Sequence, residues 1–235
     1  MKISLVTHAE RPELDGTMPD VWPEFMRHDP VVRTFWPRLY DVYPDFQLWV
    51  RDRDKRATVG YACTLPVSWD GTPSPRGIDW ALSNGAAGEP TSLCTLVAAL
   101  VPEYRGIGLA EAILRRLGSI ASAHGLDALI APVRPMWKER YPLTSIHSYV
   151  TWRRGDGLLY DPWLRTHERL GADLLGPAER SLTIAGSRAE WEEWTELTFP
   201  EDGDYVVPGA LSPVRFSSGQ GIYVEPNVWM AHRAG

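Results

Sequence analysis

Two glycines, Gly106 and Gly108, stand where an apolar run gives way to a helical pattern. Glycine has no Cβ, so the backbone amides of such a turn can approach a bound anion closely. The unpaired N–H groups in the first turn of a helix, together with the helix dipole, favour a phosphate group there. The spacing therefore predicts a site for a phosphate-bearing ligand. An ordinary helix-start turn is the alternative, because glycine is common there for steric reasons.

Two common phosphate motifs do not fit this segment. A Walker loop needs Gly-Lys-Ser or Gly-Lys-Thr, and neither occurs in the chain. The dinucleotide-binding fingerprint needs a third glycine and an acidic residue at the end of the next strand. Glu111 stands where that glycine belongs, and Asp127 begins the next apolar run instead of ending it. Neither motif explains the two glycines.

The segment does resemble the coenzyme A loop of the GNAT acyltransferases, whose pattern is Arg/Gln-x-x-Gly-x-Gly/Ala. Arg105, Gly108 and Ala110 fill its three defining places. In that family the loop amides hold the pyrophosphate of coenzyme A, and the backbone of the preceding strand holds the pantetheine arm. The resemblance implies acetyl-CoA or another acyl-CoA as co-substrate, and no metal. It assigns cofactor binding to Leu100, Val101, Arg105, Gly106, Ile107, Gly108, Leu109 and Ala110.

A second segment, His-Glu-Arg-Leu-Gly-Ala from His167 to Ala172, is similar to a helix end of the same family, Tyr-Glu-Lys/Arg-x-Gly-Phe. His167 stands in the place of a tyrosine that often protonates the departing thiolate. The resemblance therefore implies that His167 is the general acid. An imidazole can serve, because its unperturbed pKa is about 6.5 against about 8.5 for a thiol. A histidine that only packs on the helix surface is the alternative.

The sequence gives weaker signals for the general base and for the residues that bind the acceptor. Many GNAT members use a glutamate on or near the fourth strand as the base, but residues 93–101 contain no carboxylate. Asp79 and Glu89, in the preceding segment, are the substitutes. The chain has eleven tryptophans, and either an aromatic-lined acceptor pocket or packing between loops and sheet would use them. The residues expected at the acceptor are Trp22, Phe25, His28 and Trp137.

The phosphate-binding segment needs a strand before it and a helix after it. Residues 93–101 are almost continuously apolar and end at Pro102, which is the pattern of a strand buried on both faces. From Ile107 to Ala121 the apolar residues recur at helical spacing, and Gly125 ends the helix. Residues 128–133 make a second apolar strand. Strand, helix and strand form a βαβ crossover, so the two strands are predicted to be parallel neighbours.

Shorter elements surround this unit. Strands are predicted at residues 2–7, 46–51, 58–67, 181–184, 205–207, 214–216 and 222–224, a Gly/Pro-rich loop at 71–90, and helices within 19–43, at 161–170 and from the capping box of Ser187 and Glu190. The predicted fold class is α/β with a mixed sheet. It has a GNAT-like splayed pair of parallel strands flanked by helices, plus a strand-rich C-terminal extension. We divide the chain into an acyltransferase core, residues 1–184, and an extension, residues 185–235, that packs on the core and completes the sheet.

The composition indicates the class of protein and the cellular environment that suits it. The 235 residues are 44% hydrophobic with a net charge of −6, so the chain is globular and has no bulk attraction to nucleic acid or anionic membranes. Two cysteines, Cys63 and Cys94, exclude a disulfide scaffold or a cysteine-rich zinc site and fit a reducing cytosol. No apolar run approaches the roughly 18 residues of a membrane span. We expect a cytoplasmic monomer or homodimer.

The predicted function is N-acyl transfer, with acetyl-CoA as donor and an amine of a small molecule as acceptor, by direct attack in a ternary complex. Two alternatives stay open. One keeps the fold but uses a longer acyl-CoA or an aminoacyl-tRNA, and the other is a non-catalytic acyl-CoA-binding module. The tRNA alternative depends on four basic residues that alternate with aromatic residues and could bind a nucleic acid by charge and stacking, namely Lys138, Arg140, Arg153 and Arg154. An ordinary solvated loop would explain the same pattern.

Overall fold

A mixed sheet of nine strands organises the computed structural model, which describes residues 1–14, 22–84 and 87–233. Its strands are β1 (Ile3–Thr7), β2 (Gln47–Asp52), β3 (Ala57–Val67), β4 (Ser92–Leu100), β5 (Ala128–Val133), β6 (Asp173–Ser187), β7 (Gly203–Tyr205), β8 (Val214–Ser217) and β9 (Gln220–Arg233). Their order is β1-β2-β3-β4-β5-β9-β8-β7, and β6 also pairs with β9. Only β4 and β5 pair in parallel within the described ranges, so the sheet is mostly antiparallel.

Helices cover both faces of the sheet. They are α1 (Pro30–Phe35), α2 (Arg38–Val42), α3 (Gly77–Asn84), α4 (Leu109–Ala123), α5 (Ile146–Tyr149), α6 (Pro162–Arg169) and α7 (Arg188–Thr195), with 3₁₀ turns at Pro12–Leu14, Glu24–His28, Pro44–Phe46, Pro102–Tyr104 and Lys138–Arg140. None of the helices in the described ranges combines the length and the apolarity that a membrane span requires.

Strand β4 contributes to a separate core on each face, as its continuous apolar run predicts. Leu93 packs in one cluster with Ile113 and Leu117 of α4. Its neighbour Cys94 packs in another, with Ile78 of α3 on the opposite face. Successive side chains of a strand point to opposite faces, so a strand between two helical layers must be apolar throughout.

The parallel pair separates after a short contact. Its register partners are Ser92 with Ala128, Leu93 with Leu129 and Cys94 with Ile130. Beyond these partners β4 continues to Leu100 and β5 to Val133 without pairing to each other. The C-terminal half of β4 therefore has unpaired backbone groups on the side that faces β5. This confirms the predicted βαβ unit and its splayed strands.

The structure corrects three predicted elements. The segment at 71–90 contains the helix α3, which is too short for its periodicity to stand out beside several prolines and glycines. The predicted strands at 181–184 and 222–224 are short parts of the much longer β6 and β9, which pair with each other. Polar residues and bulges in β6 hide its length in the sequence. Of the helices predicted within 19–43, the first residues lie outside the described ranges.

Candidate active site

The glycine-containing loop forms an open turn at the start of α4. Gly106 and Gly108 have φ angles of 76° and 84°, in the left-handed region that favours glycine. A Cβ on either residue would meet no atom within 4 Å, so backbone conformation rather than packing requires glycine. Gly108 is the N-cap of α4, and among the described residues no side chain caps this helix. The first-turn amides of α4 thus remain available to an anion.

The residues before the glycines anchor the loop to the sheet. Arg105 donates from Nε to the carbonyl of Leu100, the last residue of β4, at 2.9 Å. Val101 donates its backbone N–H to Val59 at 3.0 Å. Tyr104 is buried, and its hydroxyl donates to Asp52 of β2 at 2.6 Å. The loop therefore starts from a fixed point at the open end of the β4–β5 pair. An uncapped helix terminus beside an unpaired strand edge fits a ligand with a pyrophosphate and an amide-bearing arm.

A cavity of about 490 Å³ opens on the other face of the sheet. Leu96 lies beyond the last β4–β5 register partner and Arg134 directly follows β5, so the cavity adjoins the open part of the pair. Most of its lining is apolar or aromatic. The lining residues are Trp22, Met26, Arg27, Val32, Arg33, Trp36, Pro37, Tyr61, Ile78, Leu96, Arg134, Leu182 and Glu225.

A buried carboxylate, Glu225 of β9, lines this cavity. Arg134 donates from Nε to both of its oxygens at 3.0 and 3.1 Å, and the Tyr223 hydroxyl donates to Oε2 at 2.9 Å. Burial, the largest single effect, acts to lower the pKa of Arg134, but the charge and hydrogen bond of Glu225 and the charges of other nearby groups together raise that pKa. Burial, and next the charge of Glu225, holds the pKa of Tyr223 well above its usual value. The sequence analysis missed Glu225, whose one signal is an acidic residue two positions after a tyrosine in an apolar strand.

The structure places the four residues predicted at the acceptor in different parts of the molecule. Trp22 lines the cavity and donates from Nε1 to the Tyr61 hydroxyl at 2.8 Å. Phe25 is instead packed in the core against Tyr223, with ring centroids 5.4 Å apart. His28 stacks on Trp194 at 4.1 Å, outside the cavity. Trp137 lies against Tyr160, also outside it. Of the four, Trp22 lines the cavity, whereas the other three side chains pack among aromatic neighbours.

The two predicted bases lie outside the cavity. Glu89 is exposed in the loop before β4. Asp79, in the first turn of α3, is buried beside Asp29. Burial, and next the negative charge of Asp29, raises the pKa of Asp79 to about 7. Asp29 in turn accepts the amides of Val32 at 2.9 Å and Thr183 at 3.0 Å. This carboxyl pair therefore joins α1, α3 and β6 without lining the cavity.

His167 is buried on α6 and does not line the 490 Å³ cavity. Its Nδ1 lies 2.9 Å from Nε2 of His232 on β9, and among the described residues its own Nε2 has no hydrogen-bond partner. Burial, and next the proximity of His232, lowers the pKa of His167 to about 3. His232 donates to the Leu170 carbonyl, which leaves His232 Nε2 to accept the Nδ1–H of His167. The His167 ring is thus neutral near pH 7, with its N–H directed at His232.

Comparison with known proteins places this geometry in a family. No model of a known protein family matches the chain. The arginine N-acetyltransferase avaD of Aspergillus versicolor is 30% identical over 270 aligned positions, covering 97% of this chain and 93% of that protein.

Two solved structures share the fold across the whole chain. The loading GNATL domain of CurA from Lyngbya majuscula aligns with a TM-score of 0.65 at 15% identity, covering 100% of this chain and 98% of that one. The GphF GNAT-like decarboxylase, solved with isobutyryl-CoA, aligns with a TM-score of 0.60 at 17% identity and covers 100% of both chains. The full-length relative and the splayed sheet agree, and the chain therefore belongs to the GNAT superfamily of acyl-CoA-dependent N-acyltransferases.

Proposed function

We propose that the protein transfers an acetyl group from acetyl-CoA to a primary amine of a small molecule held in the 490 Å³ cavity. The observation that carries this proposal is Glu225, a carboxylate buried in an otherwise largely apolar cavity beside the open β4–β5 pair. A group that accepts a proton is what an attacking amine needs there. The name of avaD, an N-acetyltransferase, supports acetyl as the group transferred.

The glycine-containing loop would hold the donor. In this proposal the amides of Arg105, Gly106, Ile107, Gly108, Leu109 and Ala110 bind the pyrophosphate, and the backbone of Leu100 and Val101 binds the pantetheine arm. The left-handed glycines and the uncapped start of α4 support the first assignment. An unpaired amide of β4 near Val97 would polarise the thioester carbonyl, because donors aimed at a developing oxyanion stabilise the transition state.

Glu225 would act as the base. The amine nitrogen attacks the thioester carbon, forming the C–N bond, and the C–S bond breaks to release the thiolate of coenzyme A. The proton lost by the nitrogen passes to Glu225. Arg134 and Tyr223 hold the carboxylate in place, since both donate to its oxygens. Asp79 and Glu89 are not proposed as the base, because neither lines the cavity.

His167, besides water, is a candidate donor of the proton that the thiolate takes up. That role stays a prediction. Near neutral pH the Nε2 of His167 carries no proton, since the pKa of the ring lies at about 3 and its N–H is directed at His232. Water is the better donor in this geometry, and His167 is then a positioning residue for α6 and β9.

The basic stretch favours acyl-CoA over aminoacyl-tRNA as the donor. Lys138 is buried and donates to the backbone of Tyr141 and Leu211. Arg153 pairs with Glu168 at 2.6 Å, and Arg154 pairs with Asp156 at 3.3 Å. Side chains that already have protein partners offer less to the phosphates of a nucleic acid.

The experiment measures thiol release from acetyl-CoA with a panel of primary amines. We expect Glu225→Gln to lower kcat by about 10²-fold or more, the usual contribution of a general base, and to leave the Kd of acetyl-CoA unchanged. Glu193→Gln, an exposed change on α7, is the matched control and should behave as wild type. Full activity of Glu225→Gln would contradict the role of this residue.

Folding is checked in the same series. Glu225→Gln leaves Arg134 without its counter-charge, so the melting temperature is measured first. Should that variant fail to fold, Glu225→Asp keeps the charge on a shorter arm and should lower kcat at unchanged acetyl-CoA affinity. Binding of acetyl-CoA without thiol release for any amine would overturn the proposed function.

A further inference from the structure

The charges around the 490 Å³ cavity are unevenly distributed. The described residues of its lining include three arginines and one glutamate. Arg134 is neutralised by Glu225 at 3.0 Å, and Arg27 lies 3.4 Å from Glu24. Arg33, in the last turn of α1, forms no ion pair within the part of the chain that the structure describes. Within the described ranges, the positive charge of Arg33 is thus the one in this lining that has no opposite charge beside it.

The guanidinium of Arg33 and the carboxylate of Glu225 lie at different ends of the cavity. Arg33 is exposed, so it stands at the mouth of the cavity, whereas the side chain of Glu225 is only 1% exposed and lies at the buried end. The lining that they share is dominated by apolar and aromatic side chains such as Trp36, Ile78 and Leu182. From its mouth inward the cavity offers a cation, an apolar wall and a proton acceptor.

The geometry points to an acceptor that is complementary at both ends. We infer that it is an amine with an apolar or aromatic body and a carboxylate at the far end from the amine. Its amine meets Glu225, its body lies along the apolar wall, and its carboxylate pairs with Arg33. This inference rests on the proposed function, because it names the substrate class of the same cavity.

A guanidinium-bearing acceptor such as arginine suits this cavity less well, although avaD is named for arginine. Among the residues that the structure describes, Glu225 is the single carboxylate of the cavity lining, and it already pairs with Arg134. A second guanidinium would meet like charges from Arg33 and Arg134 in an apolar setting, where unpaired charge is costly.

The test compares 4-(aminomethyl)benzoate with benzylamine, which lacks the carboxylate, and with its methyl ester, which keeps the size. We expect wild type to have a lower KM for the acid than for the ester by about 1.4- to 5-fold, the range of an exposed ion pair. Arg33→Gln should abolish this preference. Arg38→Gln, a matched exposed change on α2 outside the cavity, should retain it.

The results separate this inference from the proposed function. An equal KM for acid and ester in wild type, a preference that survives Arg33→Gln, or a higher kcat/KM for arginine than for the acid would overturn the inference alone. If no amine releases thiol, the proposed function fails. Calorimetry with 4-(aminomethyl)benzoate then decides the inference, which requires weaker binding by Arg33→Gln than by Arg38→Gln.

Discussion

Glu225 illustrates how single residues acquire chemistry from distant neighbours. An isolated buried carboxylate is strongly disfavoured, and pairing plus hydrogen bonding makes it tolerable. Here the charge is matched by Arg134, which follows β5, and a further hydrogen bond comes from Tyr223. The same two contacts fix the direction of the carboxylate toward the cavity. In the proposed mechanism, a carboxylate held in this way is already oriented when an amine arrives.

Substitutions of His167 separate proton donation from packing. Because the ring is neutral and its N–H is directed at His232, we expect His167→Phe to lower kcat less than about 10-fold and to leave the Kd of acetyl-CoA nearly unchanged. Steady-state kinetics by thiol release check this. A fall of about 10- to 100-fold, partly restored in His167→Tyr, would instead make His167 the general acid, since tyrosine keeps a hydroxyl donor.

At the scale of elements, the start of α4 and the end of β4 work as one unit. The strand ends at Leu100, a 3₁₀ turn follows, and two left-handed glycines lead into a helix of 15 residues. The helix brings its N-terminal amides to the opening between β4 and β5. Its apolar stripe, packed on the sheet, keeps that terminus in place.

Two substitutions of Gly108 test the phosphate site. Gly108→Asp places a negative charge where the pyrophosphate is expected, so the Kd of acetyl-CoA should rise more than about 10-fold. Gly108→Asn is the matched control, since asparagine meets the same φ of 84° without the charge, and its effect should be smaller. Isothermal calorimetry measures both. An unchanged Kd in both variants would mean that the loop does not bind the pyrophosphate.

The carboxyl pair that joins α1, α3 and β6 should make stability depend on pH. Asp79 has a folded-state pKa of about 7 against an ordinary value of 3.8, so the folded protein holds its proton more tightly than the unfolded chain. The free energy of unfolding from this site is therefore highest below about pH 4, falls as the pH rises to about 7 and is constant above.

Asp79→Asn isolates this effect, because the amide does not titrate. Relative to the variant, wild type should lose stability between pH 5 and 8 in urea denaturation. The charged groups that face Asp79 are Asp29 and Arg76, and the variant keeps both residues. Parallel stability curves for the two proteins would show that Asp79 is not protonated at pH 5 to 6 in the folded state.

For the whole molecule, β9 joins the two parts into which the sequence was divided. It pairs with β5 along residues 228–233 and with β6 along most of its length. Its Trp229 and Met230 are fully buried, each in a different core cluster. The boundary after residue 184 stays a prediction, and β6 continues past it to Ser187.

Truncation tests whether residues 1–184 fold by themselves. Without β9, the strands β5 and β6 lose their shared partner and two cores lose buried side chains. We expect the truncated chain to show no cooperative thermal transition by circular dichroism, in contrast to the full chain. A cooperative transition of residues 1–184 would establish them as an independent domain.

Features that depend on a few neighbouring residues could be predicted from the sequence. The glycine-containing loop, the βαβ unit around α4 and the capping box of Ser187 and Glu190 are all present as expected. Each is determined by local backbone geometry or by the period of apolar residues, and a sequence displays both directly. The fold class follows from them, because the order of strand, helix and strand permits few arrangements.

The groups proposed to react, in contrast, are brought together by the tertiary structure. One cavity is lined by Leu96 of β4, by Glu225 of β9 and by Arg134, which follows β5. Long-range pairing of β9 creates that meeting, and no local pattern encodes it. The pKa values of Asp79 and His167 also depend on the tertiary structure. Burial and a neighbour from another element raise the pKa of Asp79 and lower that of His167. Local sequence determines where elements begin and end, whereas burial and proximity between distant elements determine which side chains can react.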